Sequence, residues 1–310
     1  MDAAALDAAR IDLAPGGSII LPIILATIMF SVALSLRPGD FAFLKAEPVR
    51  FAGAAAAQML VLPMMTMGLI YLINPIPSIA LGMIVVACCP GGNVSNFFTH
   101  LARGDTALSV ALTGTSSLAA ALLTPVSILF WTSLYAPTAA LVDEIALSPV
   151  PFVVQTTLIL AIPLVLGMAV AFRFPVTAAR VRPVLMGAAL IGILAMVLGG
   201  IAANLAILTA SAGVVLTVVV IHNAAAFLTG VAAGRLLGFN GPRRRALTFE
   251  VGLQNTGLGL VILLGQFDGL GGAAAVVGVW SIWHLFAGLG LAGAFRLYDA
   301  RTAARPKPAE

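Results

Sequence analysis

The feature that most constrains this chain is a succession of apolar runs, each close to the ~20 residues a helix needs to cross a hydrocarbon core. They are separated only by short stretches of charge, proline and glycine and fill nearly the whole sequence. A water-soluble core cannot use so much apolar surface: 61% of residues are hydrophobic and 9% charged, against ~25% charged in an average soluble domain. In lipid every backbone group must be satisfied internally. The fold class expected is therefore an all-α polytopic membrane protein. Its spans read as 18–36, 48–73, 78–101, 106–135, 149–172, 183–207, 211–237, 246–266 and 273–297, nine in all.

With nine crossings, alternate loops collect Arg37, Lys45 and Arg50, then Arg103, then Arg173, Arg180 and Arg182, then Arg235 and Arg243 to Arg245, and finally Arg296, Arg301, Arg305 and Lys307. Of the 16 basic residues only Arg10 falls on the opposite side, with Asp143, Glu144 and Asp268. The positive-inside rule then puts the N-terminus outside and the C-terminus in the cytoplasm. The first 17 residues hold Asp2, Asp7 and Asp12 and lack a basic n-region, so a retained N-terminus is expected. The basic residues form no aromatic-interleaved patch, which argues against nucleic acid. The Arg243–Arg245 run reads as a topology determinant touching anionic lipid. Cys88 and Cys89, adjacent in an apolar run, have the spacing of neither a disulfide framework nor a metal site. Heavy Ala, Gly and Arg usage suggests a bacterial host and hence its cytoplasmic membrane.

Two spans depart from ordinary helix. The third contains Pro90-Gly91-Gly92 followed by Asn93, Ser95 and Asn96, and the eighth contains Glu250, Gly252, Gln254, Asn255, Gly257 and Gly259. Both are expected to break at mid-membrane, where freed carbonyls must line a cavity or bury in protein. The assigned topology gives the two spans opposite directions. Two broken helices so arranged are the mark of an inverted repeat, the plan of many secondary transporters.

Glu250 is the acidic residue placed well inside a span, at a cost of roughly 2.5–3.5 kcal/mol on insertion scales, and no span offers a well-placed Lys or Arg. Protonation, hydrogen bonding or a bound cation remain as compensation. Ser95, Asn96, Ser109, Thr113, Gln254 and Asn255 supply neutral oxygen, which suits hard cations. Ser109 and Thr113 share one helix face, and Gln58 is a lone amide in the second span. Thr115, Ser116 and Ser117 read as helix-packing hydroxyls, and His222 and His284 as buried imidazoles with either a packing or a proton or substrate role.

Residues 88–125, through Pro90-Gly91-Gly92, Ser95-Asn96, Gly104-Asp105 and Leu108-Ser109-Val110, resemble the first crossover motif of the bile acid:sodium symporter family. Residues 248–258, through Glu250, Gly252, Gln254 and Asn255, resemble the second. Weaker similarity at Gln58 with Pro63 and at Ser281–His284 extends the match over essentially the whole chain. The resemblance implies a nine-span member with panel helices over 18–73 and 149–207 and core helices over 78–135 and 211–297. An extracellular segment 1–17 and a cytoplasmic tail 298–310 would flank them. It implies two sodium sites: one from Ser95, Asn96, Ser109, Thr113 and Glu250, the other from Gln58, Glu250, Gln254 and the carbonyls of Val251 and Leu253. Asn93, Asn255 and His284 would face the substrate. Asn93 and Leu285 differ from some bile-acid-binding relatives, so among the cargoes the resemblance implies (pantoate, a 2-oxo acid or a bile-acid-like carboxylate) the one expected is a carboxylate smaller than a steroid.

The resulting expectation is a sodium-coupled symporter, not an enzyme, working as a monomer among membrane lipids. A proton-coupled organic anion transporter on the same fold is the alternative. A membrane enzyme would need a metal-ligand cluster, catalytic triad or nucleotide loop that the sequence does not offer. A channel would need a continuous polar pore.

Overall fold

The computed structural model describes residues 7, 17–37, 39, 42–203, 205–267 and 269–303. Most of the N-terminal segment, Asp268 and the tail beyond Ala303 lie outside them. Every named element among the described residues is a helix: α1 Gly17–Ala33, α2 Ala42–Ala46, α3 Pro48–Ile73, α4 Pro77–Cys88, α5 Asn93–Leu101, α6 Thr106–Ser133 and α7 Ala136–Glu144. After these come α8 Pro149–Arg173, α9 Pro175–Ala203, α10 Leu205–Leu236, α11 Gly241–Gly252, α12 Thr256–Gln266 and α13 Gly271–Ala303. Proline in the first turn, where a missing N–H costs nothing, opens α3, α4, α7, α8 and α11. Asn74, in the left-handed conformation at φ 44°, closes α3.

Five of these helices, α3, α6, α8, the Ala212–Leu236 part of α10 and the Gly271–Thr302 part of α13, are individually long and apolar enough to cross a membrane. The surface of α8 shows what solvent it meets. Phe152, Thr156, Leu160 and Leu164 recur every four residues on its buried face, while Val150, Val154, Leu158, Ile162 and Leu166 recur every four on its exposed face. An amphipathic helix in water would carry polar residues on that second face; here hydrocarbon covers it. The inner face packs closely enough on α1 that a side chain at Gly167 would meet Ala33 and the Phe30 carbonyl at 2.7 Å, the small-residue contact that lets membrane helices approach.

Three differences from the sequence reading have local causes. The helix over the expected sixth span begins at Pro175, so Arg180 and Arg182, expected in a loop, are helical. Pro175 supplies a ready first turn, and Pro183, taken as the boundary, lies within the helix. Short helices α2 and α7 occupy stretches expected as connections. Ala57–Val61 forms a π-helical turn inside α3. Helix α3 packs on α4 and α10, and α1 packs on α8, α9 and α12.

Candidate functional site

Two helical pairs, α4/α5 and α11/α12, are each interrupted by a short extended stretch, and the interruptions cross. Cys89 (ψ 151°) and Gly92 (ψ 166°) are extended on one side, Leu253 (ψ 101°) on the other. Gly91 and Gln254 form an isolated antiparallel bridge, and the Asn255 N–H donates to the Pro90 carbonyl at 2.8 Å. Loose backbone groups at both breaks find partners. The Thr124 hydroxyl donates to the Cys88 carbonyl at 2.9 Å, Gly91 N–H donates to Ser116 Oγ at 3.3 Å, and Asn223 Nδ2 donates to the Gly252 carbonyl at 2.8 Å. Asn255 caps α12, its Oδ1 accepting from Leu258 N–H at 3.2 Å. Ser116, read from sequence as helix packing, thus holds the first break open. Asn223 and Thr124 left no local signal, because their partners are 29 and 36 residues away on other helices.

Glu250, on the last turn of α11, is completely buried. Its Oε2 accepts from Ser95 Oγ at 2.7 Å and Ser109 Oγ at 3.2 Å, and its Oε1 from Thr113 Oγ1 at 2.8 Å. No basic side chain pairs with it among the described residues. Ser95 Oγ lies 2.7 Å from the Gly92 carbonyl as well, and Thr113 Oγ1 lies 3.2 Å from Asn96 Oδ1. Each hydroxyl therefore has one proton for two acceptors. A positive charge among these oxygens, whether a metal cation or a proton on the carboxylate, relieves the shortage. The structure thus brings together Ser95, Asn96, Ser109, Thr113 and Glu250.

On the other side of Glu250, Gln58 Nε2 approaches the Glu250 carbonyl at 3.3 Å, and Gln254 Nε2 donates to the Val251 carbonyl at 2.8 Å. Gln58 Oε1 and Gln254 Oε1 are both buried without a hydrogen-bond partner. Buried orphan acceptors are costly, and two such amide oxygens beside the helix-end carbonyls of Glu250 and Val251 fit a hard cation. The Leu253 N–H donates to the Phe249 carbonyl, 2.9 Å away. Gly91 is the tightest point between the two groups: a Cβ there would occupy the position of Glu250 Oε1 and come within 2.8 Å of Gln58 Nε2.

Asn93 stands at the start of α5 and lines a cavity of about 490 Å³ with Phe97, Phe98, Leu285, Phe286 and Leu289. His284 is buried, and its Nδ1 lies 2.5 Å from the carbonyl of Trp280 on its own helix; it is its neighbour Leu285 that faces this cavity. The second imidazole, His222, is also fully buried, with Nε2 2.8 Å from Thr66 Oγ1 and its ring against Trp280.

The arginine run makes contacts that its sequence reading does not include. Arg243 pairs with Glu47 at 2.7 Å, lies 3.6 Å from Asp105 and stacks over Phe43, and Arg245 pairs with Asp299 and donates to the Ala102 carbonyl. Two of the three arginines therefore tie loops and helix ends together. Arg50 and Arg243 hold the Glu47 carboxyl below its ordinary value.

Two crossed helix breaks around a buried, oxygen-lined carboxylate, inside a lipid-facing helical bundle, define a membrane transport protein. The chain belongs to the Sodium Bile acid symporter family, whose model matches residues 22–211. It is 33% identical over 272 residues to the uncharacterized sodium-dependent transporter YocS of Bacillus subtilis, a match covering 88% of this chain and 81% of that one. It is 32% identical to the probable chloroplastic sodium/metabolite cotransporter BASS1 of Oryza sativa, over 86% of this chain and 64% of that protein, so the chain spans under two thirds of the plant relative. With the human ileal sodium/bile acid cotransporter it shares 28% identity over 78% of this chain and 68% of the other.

Proposed function

We propose that the protein is a sodium-coupled symporter of a small organic anion, with sodium carried at two sites on either side of Glu250. The observation that carries this reading is a fully buried carboxylate with hydroxyl oxygens on one side, two orphaned amide oxygens on the other and no basic partner among the described residues. In the proposal Ser95, Asn96, Ser109, Thr113 and Glu250 hold one ion. Gln58, Gln254, Glu250 and the carbonyls of Val251 and Leu253 hold the other. One carboxylate then offsets part of two cation charges.

The anion would be received where α5 and α12 begin, because helix N-termini carry free N–H groups and partial positive charge. Asn93 and Asn255 mark those two termini. Sodium on Glu250 draws both broken helices to the same centre and so sets the spacing of the two N-termini, which is how ion occupancy raises affinity for the anion. Helices α1, α8 and α9 would form the unit against which the crossing helices rock, with α3 moving with the latter because it packs on α4 and α10 and carries Gln58. The antiparallel bridge between the breaks supports an inverted repeat. The loop arginines support a cytoplasmic C-terminus, and the heavy Ala, Gly and Arg usage supports a bacterial inner membrane. The cargo we favour is a pantoate-like or 2-oxo carboxylate.

The second reading, proton coupling, rests on the same proton shortage around Glu250. Purified protein in liposomes separates the two. Uptake of labelled pantoate or pyruvate driven by a sodium gradient at equal pH supports the proposal; uptake driven by a pH gradient in sodium-free buffer overturns it.

A further inference from the structure

We infer that the molecule holds a phosphate-bearing anionic lipid in a cleft between α10, α11 and α13, well away from the crossing. The cleft encloses about 410 Å³, and its lining includes Arg235 from the end of α10, Arg244 and Arg245 from the start of α11, and Leu291, Phe295 and Tyr298 from α13. Its charge is uncompensated. Arg245 is committed to Asp299, but neither Arg235 nor Arg244 pairs with a carboxylate among the described residues. Two arginines without a carboxylate partner among the described residues line one cleft, and each guanidinium offers a fork of donors suited to phosphate oxygens.

The rest of the lining sets the source of that phosphate. Leu291 and Phe295 give the cleft an apolar wall, and Tyr298 beside them is 66% exposed, the amphipathic residue expected where a span leaves hydrocarbon for the headgroup layer. Arg245 lies over the Phe295 ring, 5.0 Å from its centroid, so the cationic floor and the apolar wall are continuous. A free phosphate needs only the floor, whereas a glycerophospholipid uses both, its headgroup on Arg235 and Arg244 and an acyl chain along Leu291 and Phe295. Basic pockets between spans are suited to such headgroups. The sequence reading expects lipid contact for the Arg243–Arg245 run; in this proposal it falls to Arg235 and Arg244, which line a cavity.

The test is native mass spectrometry and thermal unfolding of the full chain in mild detergent, with added phosphatidylglycerol, phosphatidylcholine of the same chains, or glycerol phosphate. Phosphatidylglycerol is expected to remain bound and raise Tm, phosphatidylcholine and glycerol phosphate to do neither. Arg235→Ala and Arg244→Ala should each weaken phosphatidylglycerol binding by about fivefold, while the Tm response to sodium stays as in wild type. Equal retention of the two lipids, or unchanged phosphatidylglycerol binding in both variants, overturns the site. A rise in Tm with glycerol phosphate equal to that with phosphatidylglycerol overturns the lipid assignment in favour of a soluble phosphate. Should either alanine variant fail to purify, the glutamine at the same position is measured against the same outcomes.

Discussion

The two helix breaks solve the same problem with opposite chemistry. At the first, between Cys88 and Asn93, the interruption is closed by neutral hydroxyls: Thr124 of α6 on the Cys88 carbonyl, Ser116 of α6 on the Gly91 N–H and Ser95 of α5 on the Gly92 carbonyl. Its own residues there, Pro90, Gly91 and Gly92, contribute almost no side chain. At the second, between Gly252 and Thr256, the break brings Glu250 and Gln254, a charge and an amide whose Oε1 is an orphan. One break is a satisfied backbone frame, and the other is left short of positive charge. Sodium chemistry should therefore fail first when the second is altered, and stability when the first is.

The largest effect expected comes from Glu250→Gln. It removes the charge while keeping the shape, and sodium-driven uptake should fall roughly 10²-fold or more, the scale of taking one member from a buried charge pair. Tm in potassium should stay within a few degrees of wild type, and the sodium-induced rise, on the order of 5 °C for a site well above saturation, should vanish. Sodium uptake at the wild-type rate would end the proposed role. Nearly as large is Gly91→Ala, because its methyl group displaces Glu250 Oε1; overpacking costs about 1–3 kcal/mol and the sodium response should drop with it. Its neighbour Gly92→Ala would meet only Asn255 at 3.8 Å, so a similar loss there would show that glycine flexibility, not room beside the carboxylate, is what the first break provides.

Next comes Gln58→Leu, which removes one orphaned oxygen from the side of Glu250 away from Ser95. The sodium dependence of uptake should lose its steepness, with the Hill coefficient falling from near two to near one, at little cost in Tm. An unchanged coefficient would place the second ion away from Gln58. Thr124→Val tests the frame: losing the donor to the Cys88 carbonyl should cost about 1–3 kcal/mol while the sodium-induced rise in Tm is retained. The smallest effect lies at the outer end of the second broken helix, where Glu47 meets Arg50 and Arg243. Its carboxyl is held below its ordinary 4.5, so the contribution is full above that pH and is lost as pH falls through the lowered value. Glu47→Gln should flatten only this acid limb of the Tm profile.

Much of the site was legible because its chemistry is improbable in lipid. A carboxylate, several amides and two glycine-rich interruptions in apolar spans announce themselves, and Glu250, Ser95, Ser109 and Thr113 do converge. What stayed hidden depends on tertiary partners. Asn223 and Thr124 look like ordinary in-span polar residues until the carbonyls of Gly252 and Cys88 appear beside them. Arg243 and Arg245 look alike in sequence to Arg244, yet Glu47, Asp105 and Asp299 arrive from distant segments to claim them. Helix α3 carries no periodicity that says which neighbours it packs on, and the start of α9 was obscured by a proline that the helix absorbs.

The π turn at Ala57–Val61 has a consequence for descent. A π turn is an α-helix holding one surplus residue, and Gln58 sits within it. Deleting one residue there restores the regular winding while the turns on either side of it stay in phase, so the residues that change facing are those within the turn, Gln58 among them. The amide that faces Glu250 is thus set by chain length as much as by residue identity. Between lineages, a single-codon deletion in this stretch would turn the amide from the crossing and leave a carrier with one ion fewer, its remaining sequence untouched.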